Sequence, residues 1–290
     1  MPCLELPCVA TDPRRLRRYT ELCGFSDGAD PGTMPATYPH LTAFPMAMAL
    51  MTRRAFPLPV LGLVHIANEI EQLRPLPAGP GLDYRVWISP LREHAKGRAF
   101  DVFAQASLDG EPVWKSVSTY LRRRAILDQH TESAPRPTPA QPAEPAEPAE
   151  PAEPAALSEP GEIWSLPASL GRRYAAVSGD RNPIHLHPLT ARAFGYSRPI
   201  AHGMWTTARC LAALTASRDG AGLPDAFRLR TEFHKPVPLP ARVRFEPRES
   251  GHERTFALRS HDGRRDHLHG VLAPGEQEQG RRQDRVGDVD

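Results

Sequence analysis

Residues 199–214 read PIAHGMWTTARCLAAL, and residues 37–50 read TYPHLTAFPMAMAL. Both are apolar stretches nearly free of charge, and His40 stands in the earlier one where His202 stands in the later. In the later stretch Met204, Ala208, Leu211, Ala212 and Leu214 recur at helical spacing, which predicts a helix from about His202 to Ser217 apolar enough to be buried. Two further matches keep the same order: LRRYTELCG (16–24) with GRRYAAVSG (171–179), and EQLRPLP (71–77) with EFHKPVP (232–238). The step from the paired histidine to the paired proline is 35 positions in the first half and 34 in the second. Order-preserving similarity of this kind marks the duplication of one structural unit.

Each half has the same layout. A short helix comes first; in the second half Leu170, Tyr174 and Val177 carry it and Gly179 suits its C-terminus. The long apolar helix follows, then four strand-like segments bounded by Gly or Pro. These are VLGLVHIANEI, LDYRVWISPL, GRAFDVFAQASL and PVWKSVSTYLRR in the first half, and AFRLRTEFH, ARVRFEPRE, RTFALRSH and DHLHGVLA in the second. Strands grouped after a single apolar helix predict an antiparallel sheet wrapped on that helix, an α+β arrangement.

At 290 residues the chain exceeds one small domain, and 40% apolar residues suffice for packed cores. A net charge of +2 on 36 basic and 34 acidic residues argues against a nucleic-acid partner. No apolar run is long enough to span a bilayer, and MPCLELPCVATDPRR lacks the features of a signal peptide, so the expectation is a cytoplasmic protein with no membrane partner. Cys3, Cys8, Cys23 and Cys210 form no CxxC pair and read as reduced thiols, the first two on a loose terminus. PRPTPAQPAEPAEPAEPAEPAALSEP (135–160) cannot build a core and favours an extended backbone. The expected organisation is an N-terminal unit at 1–128, a disordered Pro/Ala/Glu linker at 129–160, a second unit at 161–273 and a disordered tail at 274–290.

Within the second half, SGDRNPIH (178–185) places an aspartate, an asparagine, a proline and a histidine in six residues. YAAVSGDRNPIH (174–185), PIAHGM (199–204) and FHKPVPLP (233–240), in this order and spacing, resemble the MaoC-like or hydratase-2 family of (R)-specific enoyl-thioester hydratases and 3-hydroxyacyl-thioester dehydratases. The whole-chain pattern is similar to the family's double-hotdog branch, in which a degenerate N-terminal hotdog packs beside a catalytic C-terminal one. The resemblance implies interconversion of a 3-hydroxyacyl and a trans-2-enoyl thioester of coenzyme A or an acyl carrier protein, without metal or redox cofactor. It carries the acid/base roles to Asp180 and His185 and the oxyanion-binding backbone N–H to Gly203. It further implies a pseudo-dimer within one chain, with a homodimer also open.

The chemistry agrees. Loss of water needs a proton removed from C2, a hydroxyl leaving C3, and charge held on the thioester oxygen. A near-neutral histidine can exchange the first proton and a carboxylate can protonate the leaving oxygen. The preferred assignment gives His185 the C2 proton and Asp180 the oxygen; shared or swapped roles fit the sequence equally. Gly179 allows a sharp turn before Asp180, and Pro183 restricts Asn182 to extended backbone. Ser178 and Asn182 can hydrogen-bond the loop or orient His185. His202 and Met204 flank Gly203 at a helix start, where unpaired N–H groups and the positive dipole end meet an anionic oxygen.

The first half lacks these parts. Phe25 follows YTELCG where Asp180 follows YAAVSG, Leu41 replaces Gly203, and the stretch from glycine to histidine shrinks from 23 positions to 16. Such a half can serve as packing partner and as a wall for a long acyl chain, with MAMALM (46–51) supplying either adaptable lining or ordinary core. His187 before Pro188 reads as a helix cap for PLTARAFG. The HLH pairs at 185–187 and 267–269 lack convincing further ligands, so no metal site is expected. Arg228, Arg230, Lys235, Arg242 and Arg244 read as carrier-phosphate contacts or as a solvated sheet face. A hotdog thioesterase and a non-catalytic acyl-thioester binder remain as alternatives.

Overall fold

The computed structural model describes residues 2–25, 32–124, 161–216, 223–251 and 253–275. The linker expected at 129–160 and nearly all of the tail lie outside these residues. The first half runs β1 (Cys3–Val9), α1 (Pro13–Cys23), α2 (His40–Met51), β2 (Leu63–Gln72), β3 (Leu82–Ile88), β4 (Arg92–His94), β5 (Gly97–Leu108) and β6 (Glu111–Arg123). The second runs β7 (Glu162–Leu166), α3 (Leu170–Ser178), α4 (Pro188–Ala193), α5 (Gly203–Thr215), β8 (Phe227–Phe233), β9 (Ala241–Ser250), β10 (Glu253–Ser260) and β11 (Asp266–Pro274). All eight expected strands are present, and the repeat holds for every element except β4 and α4, which have no counterpart in the other half.

Local rules explain the helix boundaries. Asp12 accepts the Arg14 N–H at 2.9 Å, Pro13 opens α1, and Gly24 closes it at φ 80°. His187 caps α4 through Nδ1, which accepts the Leu189 N–H at 3.2 Å. Helix α5 buries Met204, Trp205, Thr206, Thr207, Ala208, Cys210, Leu211, Ala212 and Leu214, so it is enclosed almost all round, as its lack of charge predicts. Helix α2 does the same with Leu41, Ala43, Met46, Ala47, Leu50 and Met51. Each buried leucine contributes about 1.5–3 kcal/mol over an exposed one.

The strands form one 11-stranded antiparallel sheet in the order β1-β3-β5-β6-β2-β8-β11-β10-β9-β7, with β4 added beside β5. The fold is therefore the expected double hotdog, with its two sheets joined edge to edge through β2 and β8. The order reads the same from either end once the halves are matched: β2 with β8, β6 with β11, β5 with β10, β3 with β9 and β1 with β7. At the seam Asn68 faces Thr231, Glu69 faces Arg230 and Ile70 faces Leu229. Arg230 pairs with Glu69 at 3.1 Å, and Arg228 reaches Glu69 at 3.4 Å and Glu71 at 3.3 Å. These two arginines, weighed above as phosphate contacts, are thus engaged in cross-seam pairs that are partly exposed and individually weak.

Three strands escaped sequence reading: the three-residue β4 and the two edge strands β1 and β7. The terminus expected to be loose is β1, with Cys3 opposite Trp87 and Leu6 opposite Tyr84. Pro7 speaks against a strand, but β1 lies at the sheet edge and its register shifts between Leu6 and Val9, so the missing N–H is tolerated. β7 has only five residues, too few to show alternation.

The halves are also latched through their helices. From α5, Trp205 Nε1 donates to the Leu22 carbonyl at the end of α1, at 3.1 Å. From α1, Arg15 Nε donates to the Val177 carbonyl at 2.8 Å, and its Nη2 to the carbonyls of Ser178 at 3.2 Å and Leu41 at 3.4 Å. The Leu41 carbonyl has a particular need: its helical partner four residues on is Pro45, which has no N–H. Trp205→Phe keeps the ring and removes one latch, so it is expected to destabilise the protein by about 1–2 kcal/mol in urea unfolding; an unchanged midpoint would show that the latch contributes nothing.

Candidate active site

Helix α3 ends at Ser178 and Gly179 turns the chain at φ 83°. The backbone then folds on its own side chains. The Asp180 N–H donates to Ser178 Oγ at 3.1 Å, the Asn182 N–H to Asp180 Oδ1 at 3.1 Å, and the Ile184 N–H to Asn182 Oδ1 at 3.4 Å. Asn182 thereby caps the single 3-10 turn Pro183–His185. It orients His185 through that turn and makes no hydrogen bond to the imidazole. Gly171 sits under the turn: a Cβ there would collide with the His185 carbonyl.

His185 is buried, and its Nδ1 lies 2.8 Å from the Ile200 carbonyl. A carbonyl only accepts, so the ring proton is on Nδ1 and Nε2 carries a bare lone pair, the form a general base requires. His202 stacks on His185 with ring centroids 3.7 Å apart and is itself flanked by the Tyr174 ring at 4.9 Å. His202 Nε2 donates to the Asp180 carbonyl at 3.1 Å and lies 3.9 Å from Asp180 Oδ2. Its other nitrogen is buried without a partner. His202 therefore touches both members of the pair, holding the backbone of one and the ring face of the other.

Burial sets the proton affinities. It pushes the Asp180 carboxyl up from its ordinary value, against the opposing influence of His185. It pushes His185 down, with the Asp180 charge working the other way, and His202 well down, with His185 adding to the effect. Gly203 is the first residue of α5, where an N–H has no helical partner. The Phe233 ring lies 3.1 Å from where a Cβ of residue 203 would stand, so glycine keeps that N–H approachable. Met204 is buried beside it.

Tyr174, Ser178, Asp180, Asn182, His185 and His202–Met204 line one cavity of about 870 Å³ whose far wall comes from the first half. His40, Phe44, Met48, Met51, His65 and Tyr120 contribute to that wall. Met48 lines the cavity, Met46 is core, and Met51 is buried while touching the cavity. His65 stacks between Tyr120 at 4.8 Å and Phe233 at 4.9 Å. Burial lowers His40 to about 4, and burial together with His40 lowers His65 to about 3. Burial raises Tyr120, and the Asp180 charge adds to the effect, which brings a group of the first half into electrostatic contact with the loop. Sequence reading missed His65, Tyr120 and Phe233, because strand residues acquire a role only once pairing is known. Where the second half has Asp180, Phe25 is buried against Tyr19 at 6.4 Å, and Leu41 is 1% exposed in place of Gly203.

Of the basic side chains considered, Lys235 lines the cavity, and Arg244 donates to the His261 carbonyl at 3.2 Å. In the second HLH pair, His267 Nδ1 meets the Lys235 carbonyl at 2.9 Å and His269 lies 3.5 Å from Asp266. Asp180, His185 and His202 bring one potential ligand atom each within 4.8 Å of one another. A cation there would compete with the hydrogen bond of His202 to the loop.

Two joined hotdogs with one aspartate–histidine loop beside a helix N-terminus define a double-hotdog protein that carries this loop in one copy. Residues 144–270 match the MaoC like domain model. The chain is 37% identical over 238 residues to 3-hydroxyacyl-thioester dehydratase X of Mycobacterium tuberculosis, covering 82% of this chain and 75% of that protein. The crystal structure of HtdX of Mycobacterium tuberculosis superposes with a TM-score of 0.75 at 28% identity, over 94% of this chain and 100% of that one. A MaoC-like dehydratase from Phytophthora capsici shares the fold with a TM-score of 0.71 at 19% identity, over 95% and 96% of the two chains. The chain belongs to the MaoC-like dehydratase family.

Gly171→Ala is expected to displace the His185 turn and lower both activity and thermal midpoint; retention of both would mean that the turn yields freely. In an NMR titration His185 is expected below the ordinary 6.5. Asp180→Asn removes a charge that favours the imidazolium, so it moves the midpoint lower still; a wild-type value at or above 6.5, or an upward move in the variant, would contradict the electrostatics described.

Proposed function

We propose that the chain is a hydro-lyase that interconverts (3R)-hydroxyacyl and trans-2-enoyl thioesters in fatty-acid metabolism. The observation that carries this reading is the loop in which the half-buried Asp180 and the bare Nε2 of the buried His185 face one cavity beside the start of α5. The 37% identity to a protein named as a 3-hydroxyacyl-thioester dehydratase supports it.

In dehydration, His185 Nε2 takes the C2 proton, the C3–O bond breaks, and the hydroxyl leaves as water with the proton of the Asp180 carboxyl. The upward push on Asp180 suits it to carry that proton, and the downward push on His185 keeps its lone pair free. The Gly203 N–H holds the developing charge on the thioester oxygen, a donor of a kind whose loss costs roughly 10²- to 10³-fold in turnover. Hydration is the same path reversed. Ser178, Asn182 and His202 hold these groups in place, and Met204 packs beside the oxyanion donor. No step calls for a metal or redox cofactor.

The acyl chain lies against Met48, Met51 and Phe44 of the first half, and a coenzyme A or acyl-carrier-protein arm passes Lys235 at the cavity wall. Residues 1–128 and 161–273 are the two hotdogs of an intrachain pseudo-dimer, 129–160 the linker and 274–290 the tail, although β11 carries one residue past that last boundary to Pro274. Four free thiols suit a reducing cytoplasm.

Incubation with crotonyl-CoA and longer enoyl-CoA, followed by enoyl absorbance, is expected to show hydration. Asp180→Asn and His185→Gln each lower it by about 10²-fold or more. Undiminished turnover in either variant would overturn the assignment. Release of free thiol would point to a thioesterase, and ligand-induced stabilisation without turnover to a binding protein.

A further inference from the structure

We infer that Arg15, on the first helix of the half without the loop, is a positioning residue for Asp180. The proposal rests on the hydratase reading of the site and deepens it. Arg15 spends its guanidinium on three carbonyls: Val177 at 2.8 Å, Ser178 at 3.2 Å and Leu41 at 3.4 Å. Val177 and Ser178 are the last two residues of α3, where carbonyls lack helical partners and the dipole favours a cation. Hydrogen bonds from a charged donor are the stronger kind.

Ser178 is the junction. Its carbonyl is held by Arg15, and its Oγ accepts the Asp180 N–H at 3.1 Å. The backbone leading into the catalytic loop is thus fixed from across the seam, by a residue 163 positions away in the chain. The third contact anchors Arg15 itself, because Pro45 leaves the Leu41 carbonyl without its helical donor. Leu41 is the counterpart of Gly203 and lies in the first turn of the helix that walls the cavity.

The arrangement is one-sided. In the alignment of LRRYTELCG with GRRYAAVSG, Arg15 corresponds to Leu170, so the second half cannot return the contact. The end of α1 is instead met by Trp205 from α5. Arg209 of α5 does lie against Gly24 at the end of α1, but its hydrogen bond goes to Glu162, so of the two matched helices it is the one leading to Asp180 whose last carbonyls take guanidinium hydrogen bonds. Displacement of a catalytic group by about an ångström can cost 10²-fold.

The test uses the full chain with an enoyl-CoA substrate. Arg15→Ala is expected to lower kcat by about 10- to 100-fold with little change in KM, and Arg15→Lys, which restores a cation and donors, to recover part of it. Amide exchange over residues 179–182 is expected to quicken in Arg15→Ala. Pro45→Ala gives Leu41 a helical donor, so the double variant Arg15→Ala/Pro45→Ala is expected to regain thermal stability while its kcat stays low relative to Pro45→Ala alone. Wild-type kcat in Arg15→Ala, or kcat returning together with stability in the double variant, would overturn the proposal. If Arg15→Ala does not fold, Arg15→Lys and the double variant decide. If the wild type turns over no enoyl thioester, the hydratase reading fails, and exchange at residues 179–182 decides the positioning role: faster exchange in the variant supports it, unchanged exchange refutes it.

Discussion

The pairing of β2 with β8 is the constraint on which the molecule depends. Six residues on each side, Ala67–Gln72 and Phe227–Glu232, turn two small sheets into one and set the two buried helices against the same continuous surface. A one-residue slip there would turn every side chain on one strand to the opposite face. Ile70 opposite Leu229 and the pairs of Glu69 and Glu71 with Arg228 and Arg230 specify the register from both faces. Once it is set, Phe233, which follows directly in β8, lies against both Gly203 and His65. The cavity takes walls from both copies because the seam runs beside it.

Electrostatically the cavity is a place for neutral imidazoles. His40, His65, His185 and His202 are all held below the ordinary histidine range, chiefly by burial. An acidic group in the same surroundings moves the opposite way, as Asp180 does. One environment therefore favours both a neutral imidazole and a protonated carboxyl, by a single cause acting on charges of opposite sign.

What could be read in the sequence follows from how local each signal is. The loop SGDRNPIH was legible because a left-handed glycine, a side-chain cap and a proline turn are all specified within eight residues. The helices α2 and α5 were legible through continuous apolarity, and eight strands through composition. The strand β1 was hidden by Pro7, whose cost vanishes only at a sheet edge, and β7 by its brevity. Arg15, Tyr120 and His65 gave no local sign, since each matters through a partner in another element. His202 lies beside Asp180 and His185, but its stacking on His185 gave no local sign, since it depends on the path of the Ile200 carbonyl and the Asp180 backbone.

The replacement of Asp180 by Phe25 in the earlier copy also changes the stoichiometry of the fold. Two equal hotdogs facing one another would carry two loops and offer a ligand two equivalent orientations. Here an aromatic ring packed on Tyr19 and a leucine at the start of α2 close one of them. Each chain keeps one loop per two copies, and the cavity beside it has distinguishable walls, one from the loop and one from the first half. Site density has been exchanged for direction: whatever lies in the cavity has one way round.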